Sequence, residues 1–201
     1  MSISKPHLGK GYKPGGLMIL GESHYPYDEY GDGSVYKPKG ETHCVQHIRW
    51  LISKYHSDEW IPPFDVCLSK ALTGSEKPTC DQLRVAWRNV GFANYIGGST
   101  DDSKRPKSQQ FKASKAMFRG WLNEYKPGHV LVCGKTTWNN LPDVDEASEG
   151  EDVNAYRLND GSYAICVAIR HPSRWHWTKV RDGILRLRSY RVKKGRLNPS
   201  S

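Results

Sequence analysis

GLMILGESHYPYDEY, residues 16–30, passes from an apolar run straight into a glycine, acids, a serine, a histidine and tyrosines. Leu17–Leu20 closed by Gly21 predicts a short strand buried on both faces and ended by a turn. The polar groups that follow then fall at the strand's carboxyl end. Three further runs read the same way: VGFANYIGG at 90–98, HVLVCGK at 129–135 and SYAICVAI at 162–169. The last is the second arm of a hairpin whose first arm is AYRLND and whose turn is Asp160-Gly161. Four apolar strands separated by helices predict an α/β fold, a three-layer α/β/α sandwich with a mostly parallel four-stranded central sheet.

The helices read from caps and apolar spacing. Thr42 can cap a helix whose stripe is Val45, Ile48, Ile52 and Tyr55. PPFDVCLSKAL and TCDQLRVAWRN give two more. Phe111, Phe118, Trp121, Leu122 and Tyr125 line one face of a long helix over 108–125. TTWNNL gives a short helix, and a basic helix starts near Thr178.

The 201 residues suit one domain, 16–190, with a basic amino-terminal arm at 1–15 and a basic carboxyl-terminal tail at 191–201. No apolar run is long enough to span a membrane, and the first residues lack the apolar stretch of a secretory signal. Five cysteines, an odd number with no C-x-x-C pair, fit reduced thiols in a cytoplasmic protein, with Cys133 and Cys166 in the core. His43 and His47 stand one helical turn apart, but no further ligands follow at metal-site spacing, so no metal is expected.

The net charge of +9 is unevenly spread. Residues 143–152, DVDEASEGED, hold six acids, which leaves 30 bases against 15 acids elsewhere. RDGILRLRSYRVKKGR at 181–196 alone carries seven bases. A basic surface of this size suits a polyanion, most simply a nucleic acid.

In parallel sheets, ligands bind beyond the carboxyl ends of the strands. Here those ends carry Gly21-Glu22-Ser23-His24, Asn94-Tyr95, Gly134-Lys135-Thr136 and His171-Pro172-Ser173. A carboxylate, a carboxamide, an imidazole, small hydroxyls and flanking aromatics, ringed by bases, fit an enzyme that handles a nucleobase. Asn94 can donate and accept together and so read a pyrimidine edge. Tyr25 or Tyr36 can stack on an extruded base, while Ser173, Thr136 and Lys135 can grip phosphates. RWHW at 174–177 offers bulky side chains that can wedge into a duplex.

The ordered set ILGESHY, FANYIGG, VLVCGKTTW and AIRHPSR resembles the uracil-DNA glycosylase superfamily over residues 17–175. The resemblance implies a monofunctional DNA glycosylase that needs no cofactor. It would act as a monomer on single- or double-stranded DNA with a flipped-out base. Glu22 falls beside the base and sugar. Tyr25 falls at the residue that polices the pyrimidine C5 position, and Tyr36 at the stacking aromatic. Asn94 matches the base-reading Asn and His171 the His that bonds the pyrimidine O2. Ser173, Lys135 and Thr136 match phosphate contacts, and Arg174-Trp175 lie in the intercalation loop. Glu22 or Asp28 would stabilise the sugar cation and position water. Ser23 stands where the best-known branch has a water-orienting Asp, and His24 where a Pro is usual. The closely spaced cysteines of the iron–sulfur branches are missing, so no cluster is expected.

These departures leave the base open: uracil, or a bulkier modified pyrimidine of phage DNA. Two other classes stand beside this one. A non-catalytic reader of modified DNA would use the same fold and leave the glycosidic bond intact. A serine hydrolase would use Ser23 as nucleophile, but Tyr25 occupies the position where a nucleophile elbow needs Gly.

Overall fold

The computed structural model describes residues 5–23, 27–28, 35–36, 43–55, 61–97, 106–144, 152–193 and 196–199. In chain order the elements are β1 (His7–Leu8), β2 (Leu17–Gly21), β3 (Tyr27–Asp28), β4 (Val35–Tyr36), α1 (His43–Lys54), α2 (Pro63–Thr73), α3 (Cys80–Arg88), β5 (Val90–Asn94), α4 (Ser108–Tyr125), β6 (His129–Cys133), α5 (Lys135–Asn139), β7 (Val153–Arg157), β8 (Tyr163–Ile169), α6 (Trp177–Ser189), β9 (Tyr190–Lys193) and β10 (Arg196–Pro199).

The chain is an α/β protein built on a sheet ordered β1-β5-β2-β6-β8-β7. β2 pairs in parallel with β5 on one side and β6 on the other, and β6 pairs in parallel with β8. These four inner strands are the four apolar runs of the sequence. The expectation of a four-stranded sheet is nevertheless corrected: the sheet has six strands and is mixed. β7 is antiparallel to β8 at one edge, and β1 is antiparallel to β5 at the other. β7 is the first arm of the expected hairpin, extended into the sheet. Its turn is fixed by Asp160, whose carboxylate accepts from the Ser162 N–H at 3.0 Å and hydroxyl at 2.6 Å. β1 is two residues long and lies in the segment read as a basic arm, too short to carry any periodic signal.

Alternation along the inner strands sends side chains to two separate cores. Leu17, Ile19, Phe92, Leu131, Cys133, Ile165 and Val167 face one way and meet α1, α2, α3 and α6. Met18, Leu20, Ala93, Val130, Val132 and Cys166 face the other way and meet α4. Helices thus cover both faces, which is why the inner strands read as unbroken apolar runs.

α4 buries Phe111, Phe118, Trp121 and Leu122, as its spacing predicts. On α1 the expected stripe is rotated. The residues buried there are Cys44, His47, Ile48 and Leu51, while Val45, Ile52 and Tyr55 are only half-buried. The cause is His47, whose Nε2 lies 2.9 Å from the buried Asp65 Oδ1 and so turns a polar residue into the core, joining α1 to α2. α3 starts with a capping box, in which Thr79 Oγ1 accepts from the Gln82 N–H and the Gln82 side chain accepts from the Thr79 N–H. α6 approaches β8 closely at Gly183, where an added Cβ would stand 2.6 Å from Ile169 Cγ2. Among the described residues no helix is long and apolar enough to cross a membrane.

Candidate functional site

The four inner strands are parallel, so their carboxyl ends share one edge of the sheet. The chain leaves β2 for helices on one face and leaves β5 for α4 on the other face. In the parallel order β5-β2-β6-β8 the chain steps from β2 out to β5 and then back across to β6, so the order reverses at the crevice between β2 and β6, a topological switch point where ligands of such sheets settle.

Glu22, just past the end of β2, borders that crevice, and Asn94 ends β5 on the other side of β2. Gly21 is opposite Asn94 in register, and pairing continues past the strand ends through Tyr95 N–H to Gly21 O (2.9 Å) and Ile96 N–H to Glu22 O (2.8 Å). The Asn94 carboxamide lies over Gly21, where an added Cβ would collide with Oδ1, so a glycine is required for the side chain to sit there. Asn94 is 4 % exposed, held at the rim yet nearly out of solvent.

His171 arrives from β8. The Gly134 N–H donates to Ile169 O at 2.9 Å and so ties the start of α5 to the end of β8. Gly134 has φ +107°, a backbone conformation that favours glycine, and it lies against the His171 ring, whose Cδ2 would be in ordinary contact, 3.7 Å, with an added Cβ. His171 Nδ1 is 2.7 Å from Ser173 Oγ. The imidazole pKa lies below its ordinary value because burial disfavours the cation. Glu22 pulls it up and Arg174 pushes it down, and this opposed pair of influences places both charges near the ring.

Phe64, in the first turn of α2, completes the group. Its ring centroid is 5.1 Å from that of His171 and 6.5 Å from that of Phe92, and its Cζ would be 3.8 Å from a Cβ at Gly21. The structure thus brings Glu22, Asn94 and His171 together around a half-buried aromatic that sequence reasoning missed. Nothing local in IPPFDVCL marks Phe64; its place follows from the packing of α2 on the turn Pro172–Arg174.

The remaining expected residues divide. Ser173, Arg174, Lys135 and Thr136 are exposed on the same edge. Trp175 is half-buried against the core, and its carbonyl accepts from Cys67 Sγ at 3.4 Å, so it is anchored rather than projecting. Ser23 Oγ is buried with no hydrogen-bond partner among the described residues, which leaves it unconnected to His171. Asp28 and Tyr36 lie on the small antiparallel ribbon β3–β4, and their side chains are outside the described residues, as are His24 and Tyr25.

Beside this constellation runs a groove of about 730 Å³ between β8, α5 and α6, with Lys135, Trp138, Arg170, Trp175, Lys179 and Arg186 on its walls. Arg186 is paired with Asp152 at 2.8 Å, and Lys179 stands 3.9 Å from Asp182. None of Glu22, Asn94 and His171 lines this groove, which adjoins their edge of the sheet through Lys135, Arg170 and Trp175. Convergence of functional groups, rather than this groove, therefore marks the candidate site. No protein-family model matches the sequence. No curated protein matches it either.

Proposed function

We propose that the chain is a DNA glycosylase that hydrolyses the N-glycosidic bond of uracil or another modified pyrimidine and leaves an abasic site, in base-excision repair or in defence against phage DNA with modified bases. The observation that carries this reading is the convergence of Glu22, Asn94 and His171 at the carboxyl edge of the parallel strands. The resemblance to the uracil-DNA glycosylase superfamily, with helices on both faces of parallel strands, supports it.

Cleavage of such a bond is largely dissociative, so charge stabilisation matters more than nucleophilic force. The depressed His171 pKa keeps the ring neutral near pH 7. With the Ser173 hydroxyl donating to Nδ1, the ring proton sits on Nε2, free to donate to the O2 of the departing base anion. Asn94 reads the base edge and Phe64 offers an apolar wall. The Glu22 carboxylate faces the sugar cation and takes the proton of the water whose oxygen bonds to C1′ as the C1′–N bond breaks. Exposed Ser173, Arg174, Lys135 and Thr136 contact phosphates.

Duplexes carrying uracil, hypoxanthine, hydroxymethylcytosine or glucosylated hydroxymethylcytosine, treated with alkali after incubation, test the reading. A strand break names the base removed. Binding without breakage for every member would make the chain a non-catalytic reader. On the cleaved duplex, His171→Ala lowers turnover by roughly 100-fold or more, as loss of an oxyanion donor does; an unchanged rate removes His171 from the mechanism.

A further inference from the structure

The opposite edge of the sheet carries a second feature, which the strand-end site does not use. Where β2, β5 and β6 begin, a cavity of about 530 Å³ opens, within the range of roughly 300–1,000 Å³ usual for small-molecule sites. Its walls differ in character. Leu17, Leu72, Val85 and Val90 make one side apolar, and Val85, on α3, is 62 % exposed, a large apolar side chain left uncovered. His129, Arg188 and Arg191 make the other side basic, and no carboxylate lines the cavity. Arg188, in the last turn of α6, is exposed, and its guanidinium forms neither hydrogen bond nor ion pair among the described residues. Arg191 donates through NH1 to the carbonyls of Arg188 and Tyr190, both at 2.7 Å, which fixes its guanidinium 3.5 Å from His129 Nε2. Its Nε and NH2 donors make no bond among the described residues. Asn89, also on the wall, donates back into its own helix, to Val85 O at 3.1 Å. Burial first, then the two arginines, hold His129 below its ordinary pKa.

We infer that this cavity binds a small phosphate monoester, its phosphoryl group on Arg188 and Arg191 and its apolar body against Leu72 and Val85. Two guanidiniums with no counter-charge in the cavity match the near-double charge of a phosphate monoester better than the single charge of a carboxylate. Arg191 is already held by its own backbone bonds, so less freedom is lost when the anion arrives. The uncovered Val85 and its apolar neighbours ask for a ligand with a body as well as a head, which inorganic phosphate lacks. The inference does not depend on base excision.

The test titrates the full chain calorimetrically at pH 7 with phenyl phosphate, inorganic phosphate and benzoate. Phenyl phosphate binds one per chain and more tightly than either of the others. Absence of binding overturns the inference, as does benzoate or inorganic phosphate that binds equally well. Arg188→Gln removes no bond from the folded chain and weakens phenyl phosphate by about tenfold or more. Val85→Glu, at an exposed position, weakens it by setting a like charge beside the ligand. Unchanged affinity in both variants, with thermal midpoints unmoved, overturns the inference. Ring-proton NMR of the wild type locates the ligand: saturation raises the pH at which His129 titrates, since a neighbouring anion favours the imidazolium, and leaves His171 at the other edge alone. A shift at His171 with none at His129 overturns the inference.

Discussion

At the scale of single residues, the candidate site is a balance of charges around one imidazole. Burial and Arg174 lower the His171 pKa while Glu22 raises it. Glu22→Gln removes the raising influence, so His171 titrates at still lower pH; Arg174→Gln moves it the other way. Titration of the ring protons by NMR in the three proteins checks both signs, and no movement in either variant would show that these charges do not reach the ring. Glu22, Asn94 and His171 were legible in the sequence because each follows an apolar run that can only be a buried strand, and parallel strands deliver their ends to one edge. Phe64 was not legible. It sits in an ordinary helical pattern, and its role comes from which helix packs beside the His171 turn, a tertiary fact with no local code. His47 misled for the opposite reason: a polar residue was left off the buried stripe although Asp65, eighteen positions on, satisfies it.

At the scale of elements, the close seat of α6 on β8 keeps the turn bearing His171 and Ser173 in place. Gly183 makes that seat possible. Gly183→Ala places a methyl 2.6 Å from Ile169 Cγ2 and forces the helix outward; we expect a loss of about 1–3 kcal/mol. Ile169→Ala vacates the same space, so in urea denaturation the double variant loses less than the two single variants summed. Strict additivity would mean that the helix yields without strain. Helices with apolar spacing and caps, such as α3 and α4, were readable from sequence to within a residue or so. β1 and the contribution of β7 to the sheet were not, because edge strands are set by the backbone groups they satisfy rather than by a pattern of their own.

At the scale of the whole molecule, three histidines among the described residues are held below their ordinary pKa, each with burial as the first cause: His7, His129 and His171. His7 falls from 6.5 to about 4, with the nearby Arg49 adding to the effect of burial. The unfolded chain binds protons at these sites before the folded chain does. Their contribution to stability is therefore complete above pH 6.5 and is lost as pH falls, for His7 over the interval from 6.5 down to about 4. Thermal midpoints should drop between pH 7 and pH 4, and His7→Gln should flatten that drop. A midpoint that stays level, or the same slope in the variant, contradicts the linkage.

The strand order carries a last consequence. β2 sits in the middle of the sheet, yet its two neighbours lie far downstream, with Leu17 opposite Val90 on one side and His129 on the other. During synthesis the central strand leaves the ribosome before either of its neighbours and waits until β6 is made before both flanks exist. An amino-terminal fragment that ends before β6 leaves one flank of β2 unpaired, so a split there gives no half that folds by itself, and a nascent chain stalled midway presents its stickiest segment to whatever chaperone is at hand.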